Sequence, residues 1–163
     1  MKTKQLFLLL FLFCSLVQAQ KRLPKISVKS FNENNLDLNL QSMEQVLIIS
    51  FWATWCEPCI KELNAFNKNL SYLEEELNSK LIAISTDDSR TVSRIIPMVS
   101  GNSWDFEVYL DTNQKIKRAL NIIDIPHTLV VFQNKIVYEH TGYLNGDEDE
   151  LFKKIVEINN NEF

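Results

Sequence analysis

Residues 52–62, WATWCEPCIKE, place two cysteines three positions apart, directly after an apolar run. That run, VLIISFW at 46–52, is rich in β-branched and aromatic residues and predicts a strand buried on both faces. The third cysteine of the chain, Cys14, lies far away near the N-terminus. Cys56 and Cys59 could therefore form a metal clip, a structural disulfide or a reversible redox pair.

The residues after the cysteines predict an amphipathic helix. Apolar side chains recur at spacings of three and four, so one face of this helix is apolar. They are Ile60, Leu63, Phe66, Leu70, Leu73 and Leu77. Cys56 falls at the first turn, where unpaired backbone N–H groups and the helix dipole favour a thiolate and lower the thiol pKa. Pro58 suits this turn because its missing N–H costs nothing there. Cys59 lies deeper in the helix, as expected of a resolving thiol.

Neither a metal clip nor a structural crosslink fits the rest of the sequence well. Zinc usually takes four ligands, and besides the cysteines the chain offers His127 and His140, which are 13 positions apart on or beside predicted strands. A disulfide between Cys56 and Cys59 closes too short a loop to stabilise the fold much, because the entropic benefit grows with loop length. The pattern favours a redox pair, and we expect no cofactor and no stable metal.

The first 19 residues predict a cleaved signal peptide. Lys2 and Lys4 precede an almost unbroken apolar run of 12 residues at 6–17, and VQA at 17–19 suits a signal peptidase. The run is shorter than the ~18–20 residues needed to span a bilayer. We therefore expect a mature domain over residues 20–163, exported to an oxidising compartment such as the bacterial periplasm. If the segment were not cleaved, it would anchor the protein to the membrane.

The charge of the mature chain argues against a nucleic-acid partner. Without Lys2 and Lys4, the 17 basic residues become 15 against 21 acidic ones, a net charge of −6. The sequence also contains no basic stripe that could follow a phosphate backbone.

The rest of the pattern predicts a mixed sheet with helices on both faces. A strand, the helix after the cysteines and a second strand form a βαβ unit, and the chain ends in a hairpin and a helix. The predicted strands are 26–31, 36–40, 46–52, 81–86, 106–110, 128–132 and 136–141, with an NENN turn at 32–35. Besides the helix after the cysteines, we predict helices at 89–99 with Ser89 as N-cap, from Asp111 or Thr112 to about Leu120, and from 146–150 onward.

These features together resemble a known superfamily. SFWATWCEPCIKE at 50–62, followed by IPHT at 125–128 before a hairpin and a last helix, resembles the thioredoxin superfamily. Within it, the sequence is most similar to the exported TlpA/ResA-like thiol–disulfide oxidoreductases. The resemblance covers nearly the whole mature chain. It implies an α/β thioredoxin-like fold, with an N-terminal strand pair before residue 46 and a helix–strand insertion over about 89–110.

The resemblance also implies the substrate-binding residues. Pro126 matches a cis-proline that faces the dithiol, and a cis X–Pro bond is rare. Such a bond leaves the backbone of Ile125 free to pair with an extended substrate segment. Ile125 itself is bulky where many relatives carry Thr or Gly, so it is expected to influence substrate choice. Trp55 is expected to form part of the docking surface beside Cys56.

Glu62 is the candidate proton acceptor. Cytosolic thioredoxin carries a buried Asp for this purpose at the position of Ser50. Glu62 follows Cys59 by three residues, which places it one helical turn away. Spacing alone leaves a solvated carboxylate equally plausible, but TlpA/ResA-like proteins carry an active-site Glu at the matching position.

The residues between the cysteines indicate the direction of electron flow. Glu57 is anionic and should disfavour a thiolate, so together with Pro58 it is expected to make the Cys56–Cys59 dithiol reducing. We therefore interpret the chain as a monomeric reductase of disulfide-bearing proteins. It would receive electrons from a membrane thiol donor and act in cell redox homeostasis or cytochrome c biogenesis. The alternatives are a thiol oxidase or isomerase, and a thioredoxin-fold metallochaperone or binding module.

Overall fold

A computed structural model describes residues 21–31 and 35–160. The predicted signal peptide at 1–19 and most of the NENN turn lie outside these residues. The strands are β1 Ser27–Ser30, β2 Asn35–Asp37, β3 Val46–Trp52, β4 Ser79–Ser85, β5 Glu107–Leu110, β6 His127–Phe132 and β7 Lys135–Thr141. The α-helices are α1 Leu38–Glu44, α2 Glu57–Lys68, α3 Ile95–Gly101, α4 Lys115–Ala119 and α5 Asp147–Asn159.

The strands form one mixed seven-stranded sheet in the order β2-β1-β5-β4-β3-β6-β7. β3 pairs parallel with β4, and β4 pairs parallel with β5. The remaining pairs, β1 with β2, β1 with β5, β3 with β6 and β6 with β7, are antiparallel. β3 lies inside the sheet, and all seven of its residues are buried.

Helices cover both faces of this sheet, as predicted. Buried side chains of α2, α3 and α5 belong to the core on one face, represented by Phe66, Ile95 and Ile155. Leu38 of α1 and Leu120 after α4 belong to the core on the other face. No helix within the described residues is long and apolar enough to cross a bilayer.

The predicted βαβ unit, terminal hairpin and last helix are confirmed, as are the N-terminal strand pair and the insertion. The hairpin turn consists of Gln133 and Asn134, both at positive φ, which matches the twist of a two-residue hairpin loop.

Four boundaries were predicted wrongly. The helix predicted from Asp111 or Thr112 begins only at Lys115, with Gln114 as its N-cap. The strand predicted over 36–40 ends at Asp37, because the Asp37 carboxylate accepts hydrogen bonds from the backbone N–H groups of Asn39 and Leu40 and starts α1. Ser89 does not cap a helix, since α3 begins only at Ile95 after a short 3₁₀ turn at Val92–Arg94.

The helix after the cysteines is also shorter than the apolar pattern suggests. α2 ends at Lys68, and Asn69 leaves the helical conformation with φ −108° and ψ 14°. A single π-helical turn at Tyr72–Glu76 follows. It keeps Leu73 and Leu77 buried, so the apolar spacing continues although the α-helix does not.

Candidate active site

The two cysteines lie at the junction between β3 and α2. Residues 53–55 connect the end of β3 to Cys56, which is the N-cap of α2. The Cys56 sulfur accepts a hydrogen bond from the backbone N–H of Cys59 at 3.3 Å. The two residues are joined as a disulfide, with their Cα atoms 5.3 Å apart. Cys59 is fully buried, whereas Cys56 retains 5% exposure. Cys56 is therefore the more accessible residue of the pair.

A buried aspartate that the sequence analysis missed holds the loop before Cys56. Asp87 follows β4 and accepts hydrogen bonds from the Thr54 backbone N–H at 2.9 Å and the Thr54 hydroxyl at 2.6 Å. The Ser85 hydroxyl donates to the same carboxylate at 2.8 Å. The position of Asp87 just after a buried strand was the available signal, since parallel β3 and β4 end at the same edge of the sheet.

Pro126 lies at this same edge. The Ile125–Pro126 peptide bond is cis, as the resemblance implied. β6 begins with His127, whose register partner on β3 is Phe51, so Pro126 is brought to the end of β3 from which the cysteine loop departs. Its carbonyl accepts a hydrogen bond from the Gly142 N–H at 2.8 Å, and Gly142 has a φ of +89° that favours glycine.

Apolar side chains are exposed around the site. Trp55, next to Cys56, is 62% exposed. Ile123 and Leu144 are exposed too, on the loops that carry Pro126 and follow Gly142, and the sequence analysis did not single them out. Ile125 is half-buried. Trp52, by contrast, is buried and packs edge-to-face on Trp104.

Glu62 is a buried carboxylate and not a solvated one. It is 2% exposed and lies on the same face of α2 as Cys59. The Ser50 hydroxyl donates to Oε2 at 2.7 Å, and the Thr128 hydroxyl donates to Oε1 at 2.8 Å. Ser50, which occupies the place of the thioredoxin aspartate, therefore holds the carboxylate that comes from the helix.

Burial changes the proton affinity of Glu62. Desolvation raises the pKa of Glu62 to about 7, although the hydrogen bonds from Ser50 and Thr128 act in the opposite direction. The negative charges of Asp147 and Glu148 add to the rise. A carboxyl group with such a pKa can both take up and release a proton near neutral pH.

Glu57, the other carboxylate of the motif, is exposed and forms an ion pair with Lys61 at 2.8 Å. Its pKa is lowered, chiefly by the hydrogen bond from Lys61. Pro58 occupies the first turn of α2, as predicted. No group of three or more His, Cys, Asp or Glu within residues 21–31 and 35–160 could hold a metal ion.

Comparisons with known proteins agree with this geometry. The thioredoxin-like protein YneN of Bacillus subtilis (strain 168) is 24% identical over 82% of this chain and 78% of its own. The thiol-disulfide oxidoreductase ResA of Bacillus thuringiensis subsp. konkukian (strain 97-27) is 26% identical over 80% of this chain and 69% of its own. The solution structure of a thioredoxin-like protein from Porphyromonas gingivalis is 40% identical, with a TM-score of 0.71 over 83% of this chain and 90% of that one.

The fold and these relatives define a thioredoxin-like thiol–disulfide oxidoreductase. The sequence model of the AhpC/TSA family matches residues 19–140. The chain belongs to the AhpC/TSA family.

Proposed function

We propose that this oxidoreductase is an exported reductase, which transfers electrons from the Cys56–Cys59 dithiol to disulfides of partner proteins. The observation that carries the proposal is the cysteine pair at the N-terminus of α2 with a buried carboxylate, Glu62, one turn further along the same helix. The pair supplies the electrons, and the carboxylate supplies a proton acceptor.

The first step is an attack by Cys56. Its sulfur lies at the N-terminus of α2, where backbone N–H groups stabilise a thiolate. The thiolate attacks one sulfur of the partner disulfide, a mixed disulfide forms, and the other partner sulfur leaves as a thiolate. The partner segment lies on a surface formed by Trp55, Ile125 and the cis bond at Pro126. There the backbone of Ile125 forms hydrogen bonds with the backbone of the partner segment.

The second step uses Cys59 and Glu62. Cys59 gives its thiol proton to the Glu62 carboxylate, and the Cys59 sulfur then attacks the Cys56 sulfur. The bond between Cys56 and the partner sulfur breaks, and its electron pair leaves with the partner as a thiolate. The protein is left with the Cys56–Cys59 disulfide that the structure contains.

Glu57 supports the reducing direction. Its exposed carboxylate is anionic near neutral pH, and the hydrogen bond from Lys61 lowers its pKa further. A negative charge beside Cys56 disfavours the thiolate and stabilises the disulfide relative to the dithiol. The Lys61 ammonium offsets part of this charge and water screens the rest, so the effect is modest. Pro58 fixes the first turn between the cysteines.

Export and partners complete the proposal. The signal-peptide pattern at 1–19 supports cleavage and a periplasmic location for residues 20–163. In an oxidising compartment the dithiol needs a donor, for which a membrane thiol relay is suited. The substrates are disulfide-bearing proteins, including cytochrome c precursors with paired cysteines, and the chain acts as a monomer.

Insulin provides a direct test of the proposal. With dithiothreitol as electron donor, catalytic amounts of the protein should accelerate reduction of the interchain disulfides of insulin, which is measured as turbidity from the precipitating B chain. A turbidity curve identical to that of dithiothreitol alone would contradict the proposal.

A further inference from the structure

A narrow crevice runs from Glu62 to the surface, on a side of the carboxylate that the proposed mechanism does not use. Its free volume is about 10 Å³, close to the minimum for one water molecule. The crevice is lined by Glu62, Phe66, Thr128, Tyr138, His140, Tyr143, Asp147, Glu148 and Leu151. Five of these besides Glu62 carry groups that can bind or release a proton.

Strand register explains how His140 reaches this crevice. Ser50 of β3 pairs with Thr128 of β6, and Thr128 pairs with His140 of β7. Paired residues of neighbouring strands present their side chains on the same face of a sheet. Ser50 and Thr128 both donate to Glu62, so His140 is the next side chain in the row that holds the carboxylate.

Glu62 is enclosed by buried groups on the side of its hydrogen-bond partners. Ser50 and Cys59 are fully buried, and Thr128 is 1% exposed. The two Glu62 carboxylate oxygens accept hydrogen bonds from the Ser50 and Thr128 hydroxyls. A proton that Glu62 takes from Cys59 therefore has no direct path to bulk water past these two residues. The crevice offers a route from Glu62 to side chains that reach the surface.

Charged groups gather at the mouth of the crevice. His140 Nε2 lies 3.3 Å from Asp147 Oδ2, and about a third of each side chain is exposed. The Tyr143 hydroxyl donates to Glu148 at 2.8 Å. Tyr143 and Glu148 also line an adjoining open groove on the surface, with a volume of about 340 Å³. Side chains that line the crevice are therefore in contact with solvent.

We propose that His140, held by Asp147, is the relay residue through which Glu62 exchanges its proton with solvent after each disulfide is formed. The proposal rests on the proposed function and adds to it the fate of the proton. Once Cys59 has given its proton to Glu62, the proton passes along the crevice to the imidazole and then to water. Glu62 returns to the carboxylate form, and the imidazole returns to neutral.

The other groups facing Glu62 are less suited to this task. Ser50 and Thr128 already donate to the carboxylate. Burial raises the pKa of Tyr138 and of Tyr143, and nearby carboxylates add to it, so neither phenol gives up its proton near neutral pH. His140 remains as the side chain of the crevice that can take up a proton on one ring nitrogen and release one from the other, and the Asp147 carboxylate lies 3.3 Å from its Nε2.

The test measures disulfide formation and proton release in the same reaction. The reduced protein is mixed in a stopped-flow instrument with an aromatic disulfide whose thiols leave as thiolates, at pH 8.5 with a soluble pH indicator. Tryptophan fluorescence follows closure of the Cys56–Cys59 disulfide, and the indicator follows the proton. In the wild type, proton release should keep pace with disulfide closure.

In His140→Gln, disulfide closure should continue while proton release lags by about tenfold or more, and added free imidazole should abolish the lag. Asp147→Asn should show a smaller lag and serves as a second variant if His140→Gln does not fold. The matched control is Asp149→Asn, which removes an exposed carboxylate from the same turn of α5 without reaching the crevice.

Proton release from His140→Gln as prompt as that of the wild type would overturn the relay, while leaving the proposed function intact. A lag that free imidazole does not shorten would overturn it too, because it would point to a structural effect. If the wild type fails to close the disulfide at all, the proposed function fails first.

Discussion

Reduced Cys59→Ala, mixed with an aromatic disulfide, will release one equivalent of thiol and retain the other covalently on Cys56. The reason is that the second step needs the Cys59 sulfur, which the variant lacks. The wild type should release two equivalents and retain none. Absorbance of the released thiol gives the count, and mass spectrometry shows the adduct. With an extract of the compartment in place of the small disulfide, the same variant should hold partner proteins as mixed disulfides.

Cys56→Ser is the matched variant, since it also leaves a single cysteine of the Cys56–Cys59 pair. Cys59 is fully buried, whereas Cys56 is the N-cap of α2 and retains some exposure. Cys56→Ser should therefore react more slowly than Cys59→Ala by roughly 10²-fold or more, and insulin turnover should fall to background. Equal reaction rates for the two variants would contradict the assignment of Cys56 as the attacking thiol.

Glu62→Gln should slow the second step by roughly 10²-fold at pH 7, the lower end of the range for a general base. A glutamine cannot accept the Cys59 proton, although it keeps the size and position of the side chain. Its amide can still bond Ser50 and Thr128, because hydroxyl groups rotate to donate or accept. Rapid quenching of the mixed disulfide measures this step separately from the attack by Cys56, which should be unchanged.

The pH profile distinguishes a proton acceptor from a merely structural group. In the wild type the rate of the second step should fall as the pH drops below about 7, where Glu62 becomes protonated. Glu62→Gln should lack this inflection. Glu74→Gln, which changes an exposed carboxylate, should behave as the wild type does. A Glu62→Gln profile with the wild-type inflection would assign proton acceptance to another group.

The same substitution should stabilise the oxidised protein at neutral and alkaline pH. The pKa of Glu62 rises from 4.5 to about 7 on folding, so the folded state binds a proton that the unfolded state has released between these values. The free energy of unfolding of the wild type is thus fully maintained below pH 4.5 and declines as the pH rises to about 7. At about 1.4 kcal/mol per pKa unit, the loss is roughly 3 kcal/mol.

Urea unfolding of the oxidised protein at several pH values measures this effect. The difference in unfolding free energy between Glu62→Gln and the wild type should grow in favour of the variant as the pH rises from about 5 to about 8. A difference that does not change with pH would mean that Glu62 titrates normally. A variant that is slower in the second step yet more stable would have the signature of a functional buried acid.

The place of the dithiol could be predicted because local pattern determines it. An apolar β-branched run, two cysteines and a helical apolar period each indicate their own element, and together they set Cys56 at a strand-to-helix junction. The cis bond at Pro126 came from the resemblance and not from periodicity. The role of Glu62 could be predicted only in part. Its spacing from Cys59 fitted a solvated carboxylate equally well, and only the resemblance favoured an active-site carboxylate.

What could not be predicted depends on the alignment of distant strands. Thr128 reaches Glu62 only because β6 pairs with β3 in a particular register, and His140 joins the same row only through β7. Asp87 accepts a hydrogen bond from the backbone N–H of Thr54, which lies 33 positions earlier in the sequence. Helix α1 was not predicted, because its start depends on one side chain: the Asp37 carboxylate accepts hydrogen bonds from two backbone N–H groups. Such contacts leave no periodic trace in the chain.

The direction of electron flow is tested most directly by the reduction potential of the Cys56–Cys59 couple, measured by equilibration with glutathione and alkylation of free thiols. A reductase should lie in the thioredoxin range near about −270 mV or below it. Glu57→His should raise the potential, because an imidazole in place of a carboxylate stabilises the Cys56 thiolate. A wild-type potential close to about −120 mV, the range of a strong oxidant, would contradict the proposed reductase.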